Sequence, residues 1–338
     1  MMLNGFFDID FRLEQLDQCG DPLTKLNEVI PWNAFRSDLE KIREKNRKSN
    51  AGRKSFDVIL MFKMLILQSL YNLSDDALEY QVRNRLSFMR FLGLALDDRV
   101  PDAKTVWLFC EQLGELGLEK KVFAQFDRYL REQGFTAKKG QIVDASIISA
   151  PRQRNSREEN QQIKDGEVPE SWSENKQRQK DTDARWIKKN GKNHYGYKNH
   201  IQIDVKHKFI REYAVTDASV HDSQVFAELL DESNSSRDVY ADSAYRSEAR
   251  LNELGKLGYR EHLQRKGCRN RKLTNWEKCG NKTRGKVRAR VEHIFGVQSQ
   301  KAGSLIMRTI GISRAKVKIG LRNLAFNMDR FGTLKAKV

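Results

Sequence analysis

Along the first 135 residues the apolar side chains recur at helical spacing. Phe56, Ile59, Leu60, Met64 and Leu67 cover so much of a helix's circumference that they predict a buried helix, with Ser55 placed to cap it. Ser74 ahead of Asp75 and Asp76 predicts a second helix through Tyr80 toward Asn84, because a hydroxyl cap and early acids suit a helix start. Pro101 and Asp102 precede a third, around 106–116, and a fourth, 118–132, closes at Gly134, an ordinary C-terminal glycine. Residues 1–135 are therefore expected to form an all-helical N-terminal domain, suited to DNA binding, to dimerisation or to a plain helical cap.

The period changes after Gly140. Residues 141–146 (QIVDAS) read as a short apolar strand ending near the carboxylate Asp144. Residues 151–197 carry 11 Lys and Arg, eight Asp and Glu and very few aliphatics, a composition that predicts a mobile insertion because it buries too little to offset chain entropy. Alternation returns at 197–205, with Ile201, Ile203 and Val205 set against His200, Gln202 and Asp204, and predicts a half-buried strand. A turn at 206–208, a strand to Thr216, a helix around 223–230 and an apolar strand 238–241 ending in Asp242 follow. Helix 248–257, strand 259–263, a basic stretch and a long helix from about Lys286 complete the pattern. The fold class is α/β: a mixed sheet flanked by helices over 136–338.

Composition adds a partner. The chain has 338 residues, 39% hydrophobic, with a net charge of +17. From Arg265 to Val338 there are 20 Lys and Arg against three acids, while the preceding 264 residues hold 42 of each. Charge this concentrated reads as a polyanion-binding surface, or else as a solvated basic face. Cys19, Cys110, Cys268 and Cys279 have no paired spacing, which argues against a zinc ribbon or disulfide framework and suits a reducing cytoplasm. The most apolar run, 58–70, is too short for a bilayer and contains Lys63, so no membrane segment is expected.

Three acids stand out. Asp144 and Asp242 each lie at the end of an apolar strand ahead of small residues, where active sites form in open α/β sheets; the plain reading of such an Asp is a turn former. Glu292 is the one acid among the 51 residues from Lys278 to Met328, either a metal ligand or a salt bridge to Arg288 four residues earlier. Together, two strand-end carboxylates and a helical one could hold two hard divalent cations and clamp both oxygens of a phosphodiester exchange. Mg²⁺, with Mn²⁺ substituting, suits such oxygen ligands.

These motifs resemble the InsH-type insertion-sequence transposases, the IS-five family. The matching stretches are 71–75 (YNLSD), 143–151 (VDASIISAP), 194–198 (HYGYK), 218–222 (ASVHD), 240–245 (YADSAY) and 288–295 (RARVEHIF), in order along nearly the whole chain. The resemblance implies an RNase H-like fold and an Asp-Asp-Glu set made of Asp144, Asp242 and Glu292. It further implies cleavage of insertion-sequence ends and strand transfer, with double-stranded DNA (terminal inverted repeats and target) as partner and a homodimer or higher oligomer at work. Of the Tyr-Arg-Glu-Lys signature in the related IS-four group, Arg288 matches, but Gly285 and Ser299 stand where Tyr and Lys would be.

Around this set, Arg288, Arg290, Lys286, Lys198 and His194 are the expected DNA contacts. His194, Tyr197, Lys198 and His200 read either as a basic-aromatic DNA contact or as an exposed hairpin edge. His221-Asp222 offers a further ligand or, as favoured for an Asp before a helix, a cap. A nuclease without strand transfer and a non-catalytic DNA-binding repressor are the competing functions.

Overall fold

The computed structural model describes residues 8–44, 54–189, 191–269, 271–303 and 305–336. Two compact units emerge: residues 1–128 with 320–338, and residues 129–319. The last 19 residues thus join the helical unit, although the sequence pattern assigns everything after 136 to the catalytic domain.

The first unit is helical. It contains α1 (Asp8–Gln18), α2 (Pro22–Val29), α3 (Arg36–Glu40), α4 (Val58–Tyr71), α5 (Asp75–Asn84), α6 (Leu86–Leu92), α7 (Ala103–Glu115) and most of α8 (Leu118–Glu132). Its centre is α4, whose Met61, Phe62, Met64, Leu65, Ile66 and Leu67 are all fully buried, each burial contributing about 1.5–3 kcal/mol. The cap is Asp57 rather than Ser55: its carboxylate accepts from the Ile59 and Leu60 amides and pairs with Arg36 at 2.5 Å. Lys63, the odd residue in this apolar run, donates to Asn27 at 2.7 Å and to the Phe91 carbonyl at 3.1 Å. Ser74 and Asp102 cap α5 and α7 as their sequences predict.

The second unit is built on a mixed sheet of β1 (Gln141–Ser149), β2 (Arg185–Lys189), β3 (Lys192–Asp204), β4 (Ile210–Asp217), β5 (Asp238–Ala241) and β6 (Arg260–Leu263). The order is β2-β3-β1-β5-β6, with β4 also on β3. β3 pairs antiparallel with β1, β2 and β4, whereas β1–β5 and β5–β6 are parallel. Around the sheet lie α9 (Arg157–Lys164), α10 (Glu174–Gln179), α11 (Glu248–Lys256), α12 (Asn275–Ala302) and α13 (Ile312–Lys335), the last crossing into the helical unit. This is the helix-flanked mixed sheet expected of an RNase H-like fold.

Four local expectations change. β1 continues to Ser149, so Asp144 sits within the strand and not at its end. The helix expected at 223–230 is two short 3-10 turns, Asp222–Gln224 and Ala227–Leu229. α12 begins eleven residues before Lys286, at a Thr274/Glu277 capping box whose signature was present in the sequence. The polar segment 151–197 carries α9, α10 and β2, and it buries Ile163, Trp172, Ala184, Tyr195 and Tyr197. Few but large anchors do this: Trp172 donates to Glu159 at 2.6 Å, and Tyr197 donates to Asp181.

β3 is buried on both faces through His200, Gln202 and Asp204, the positions that alternation marks as exposed. His200 Nε2 bonds Thr216 Oγ1 and Gln202 Nε2 donates to Gln141 Oε1, while His200 Nδ1 and Gln202 Oε1 have no hydrogen-bond partner among the described residues. Asp204 accepts from Arg211 at 3.0 Å and from the amides of His207 and Phe209 across the turn. One glycine is dictated by crowding: at Gly196, φ is +147° and a Cβ would lie 2.2 Å from the Ile148 carbonyl oxygen of β1.

Candidate active site

Parallel pairing brings the two aspartates together. Gln141 pairs with Val239 and Ile142 with Tyr240, so extending the register by two residues sets Asp144 opposite Asp242. Neighbouring strands lie about 4.8 Å apart. Val143, Val239 and Ala241 belong to one core cluster with Leu254 of α11. Strand alternation therefore turns Asp144 to the other face, where α12 packs against β1 and β5.

α12 is anchored on that face by buried Val291 and Ile294, which leaves Glu292 exposed at 63% of its side-chain surface. Arg288, one turn earlier, points at the sheet. Its Nη2 donates to Asp144 Oδ2 at 3.0 Å and lies 3.5 Å from Glu292 Oε1, while Nη1 donates to Gln264 Oε1 at 3.0 Å. Asp144 also accepts from the Ala145 amide through Oδ1. Asp242 Oδ1 accepts from the Ala244 amide at 2.8 Å and caps the turn Ser243–Tyr245.

Electrostatics follow from this packing. Burial raises the Asp144 pKa above the ordinary carboxylate range; Arg288 opposes that shift and the Asp242 charge adds to it. Burial alone would lower the Arg288 pKa, but Asp144, Asp242 and Glu292 together raise it. One guanidinium is therefore counter-ion to Asp144 and Glu292, with the Asp242 charge nearby. Among the described residues no three His, Cys, Asp or Glu side chains converge into a ready metal site. The donor set still fits a hard divalent cation in kind, being all carboxylate oxygen, and a single positive group already stands where those charges need one.

The expected DNA contacts divide. Lys286 is exposed and makes no hydrogen bond or ion pair among the described residues. His194 is partly exposed, opposite Ile187 on β2. Arg290 donates to the Val205 carbonyl at 3.0 Å and so braces α12 on the β3–β4 turn. Lys198 corrects the expectation: it is buried, pairs with Asp222 at 2.8 Å and donates to the Val220 carbonyl at 2.6 Å. Tyr197 and His200 are buried as well, Tyr197 in a cluster with Ala315 and Ile319 of α13 on one face of the sheet. The reading of Asp222 as a cap also fails, since His221 Nδ1 accepts from the Ser223 amide instead. Gln264 and Tyr245 are neighbours that the sequence did not single out. Tyr245 is fully buried within reach of the Asp222, Asp144 and Asp242 charges. Among the described residues no helix is long and apolar enough to cross a membrane.

Comparison with known families gives two matches. A transposase domain family (DUF772) matches residues 11–112, and the transposase DDE domain family matches residues 136–328. The chain is also similar to a solved piggyBac transposase, described as a synaptic complex with hairpin DNA. That similarity has 13% identity, a TM-score of 0.44, and coverage of 94% of this chain and 76% of the other.

Proposed function

The chain belongs to the DDE transposase family, and we propose that Asp144, Asp242 and Glu292 are its catalytic, metal-holding carboxylates. Members of this family depend on divalent metal ions and act on DNA; for this chain the reading is Mg²⁺, replaceable by Mn²⁺, at two ions per site. The observation that carries it is Arg288, one cation shared by Asp144 and Glu292 with Asp242 in register beside them. Such ions, when bound, activate the attacking hydroxyl and stabilise the leaving oxygen.

The protein's own groups do the rest. Asp144 presents Oδ2 once Arg288 releases it. Asp242 keeps Oδ1 on the Ala244 amide, which fixes the direction of its other oxygen. Glu292 reaches the site from solvent along α12. Arg288, relieved of the carboxylates, is left beside the reacting phosphate, and its planar fork suits two phosphate oxygens. Lys286 and His194 extend the contact along the backbone, and Arg290 holds the helix in place.

The substrates in this reading are the terminal inverted repeats of an insertion sequence and a double-stranded target, with a dimer or higher oligomer bridging the ends. The helical unit is assigned to DNA binding or dimerisation. The test is a joining assay with labelled end DNA, a supercoiled plasmid and Mg²⁺. Covalent joining of end to plasmid is expected. Cleavage without joining would reduce the protein to a nuclease, and binding without cleavage to a repressor.

A further inference from the structure

Between β6 and α12, residues 265–268 and 271–273 border an open cavity of about 250 Å³ that lies outside the set Asp144, Asp242 and Glu292. Arg246, Arg265, Lys266, Arg271 and Lys272 line it, with Glu277 as the acid among them. Glu277 is buried and already satisfied: it accepts from Arg265 at 3.2 Å, Arg271 at 2.9 Å and the Thr274 amide at 2.9 Å. Arg246 is paired with Glu261 at 3.0 Å. Lys266 and Lys272 are exposed and make no ion pair or hydrogen bond among the described residues. The cavity therefore carries surplus positive charge around one spent acid. The start of the loop is held to α12, because Asn281 bonds both the amide and the carbonyl of Arg265 at 2.9 and 2.8 Å.

Beside the cavity stands Trp276, 71% exposed, with the Arg265 guanidinium 5.1 Å from its ring centroid. A large aromatic left in water beside fixed cations is the combination that grips single strands: cations take the backbone and the ring takes a base face. In a paired duplex the base faces are covered by their neighbours, so Trp276 has a partner only where a base is unpaired. The loop also begins at the active site, since Gln264, the residue before Arg265, holds Arg288. From Glu277 to Arg288 the helix is continuous, a rise of about 16 Å, or roughly five nucleotide steps of DNA.

Building on the transposase reading, we propose that this loop holds a locally unpaired DNA strand a few nucleotides from the reacting phosphate. A backbone phosphate sits among Lys266, Arg271 and Lys272, and an unstacked base lies on Trp276. The test uses the full chain in chelator, so that nothing is cut. It compares affinity for a blunt duplex with affinity for the same duplex bearing a short single-stranded tail. The unaltered protein should prefer the tailed probe. Trp276→Ala should lose roughly tenfold or more on the tailed probe alone, and Trp276→Phe should retain most of the preference. The double change Lys266→Ala with Lys272→Ala should weaken both probes and flatten the log–log salt slope by about one to two units. Equal affinity for the two probes, or a Trp276→Ala loss that is nil or the same on both, overturns the proposal while leaving the catalytic reading intact. Failure of the unaltered protein to bind either probe overturns both.

Discussion

Arg288 Nη2 donates to Asp144 Oδ2 at 3.0 Å and thereby ties the middle of α12 to the middle of β1, 144 residues away in sequence. The bond joins a largely buried acid to a cation on the facing helix. Without a cation, an acid so placed is costly: removing one partner of a buried pair costs about 3–5 kcal/mol, less for a partly exposed one. Arg288→Ala should therefore lower the melting temperature, and Mg²⁺ should restore more of that loss than it adds to the unaltered protein, because a ligand bound only by the folded state stabilises it. Thermal melts of both proteins with and without Mg²⁺ check this. An Arg288→Ala protein that melts normally and ignores Mg²⁺ would detach Arg288 from the site.

Gly196 is the glycine of the HYGYK stretch, and its conformation gives that motif a physical reason. Gly196→Ala would set a methyl against the β1 backbone at a left-handed φ. It should destabilise the second unit by at least about 2 kcal/mol, as read by urea unfolding. An unchanged midpoint would mean that β1 can shift without loss.

Those two positions also show what the sequence did and did not disclose. Asp144, Asp242 and Glu292 stood out because apolar strands and a basic helix have no structural need for carboxylates. The approach of Asp144 to Asp242 required the parallel β1–β5 register, which no local pattern encodes. Lys198 misled because alternation marks an exposed face only when one side of a strand is solvated; β3 has strands on both edges and helices over the sheet. In segment 151–197 the elements α9, α10 and β2 were not legible, because composition averages away a few large anchors such as Trp172 and Tyr197. The start of α12 was legible in Thr274 and Glu277 and was obscured by the surrounding charge.

His200 supplies a pH dependence. Its pKa is lowered from 6.5 to about 4, chiefly by burial, which holds the imidazole neutral; Asp222 opposes the shift and Lys198 adds to it. The unfolded chain thus takes up this proton first as pH falls. The stability due to neutral His200 is complete above about pH 6.5 and is lost on descending toward pH 4, by up to about 3 kcal/mol. Urea unfolding of the unaltered protein and His200→Gln at about pH 7 and pH 4.5 should show the smaller acid loss in the variant. Parallel losses would contradict the assignment.

The central claim is that Asp144, Asp242 and Glu292 act together as metal-holding carboxylates, and cleavage of end DNA by conservative variants tests it most directly. Asp144→Asn, Asp242→Asn and Glu292→Gln keep shape and remove charge. Cleavage in Mg²⁺ or Mn²⁺ should fall in each by about a thousandfold or more, on the scale of losing a principal catalytic group. Affinity for the same DNA in chelator should stay within about twofold, because backbone affinity comes from cations elsewhere. Substantial nicking by any one of the three variants would contradict the account and remove that residue from the site.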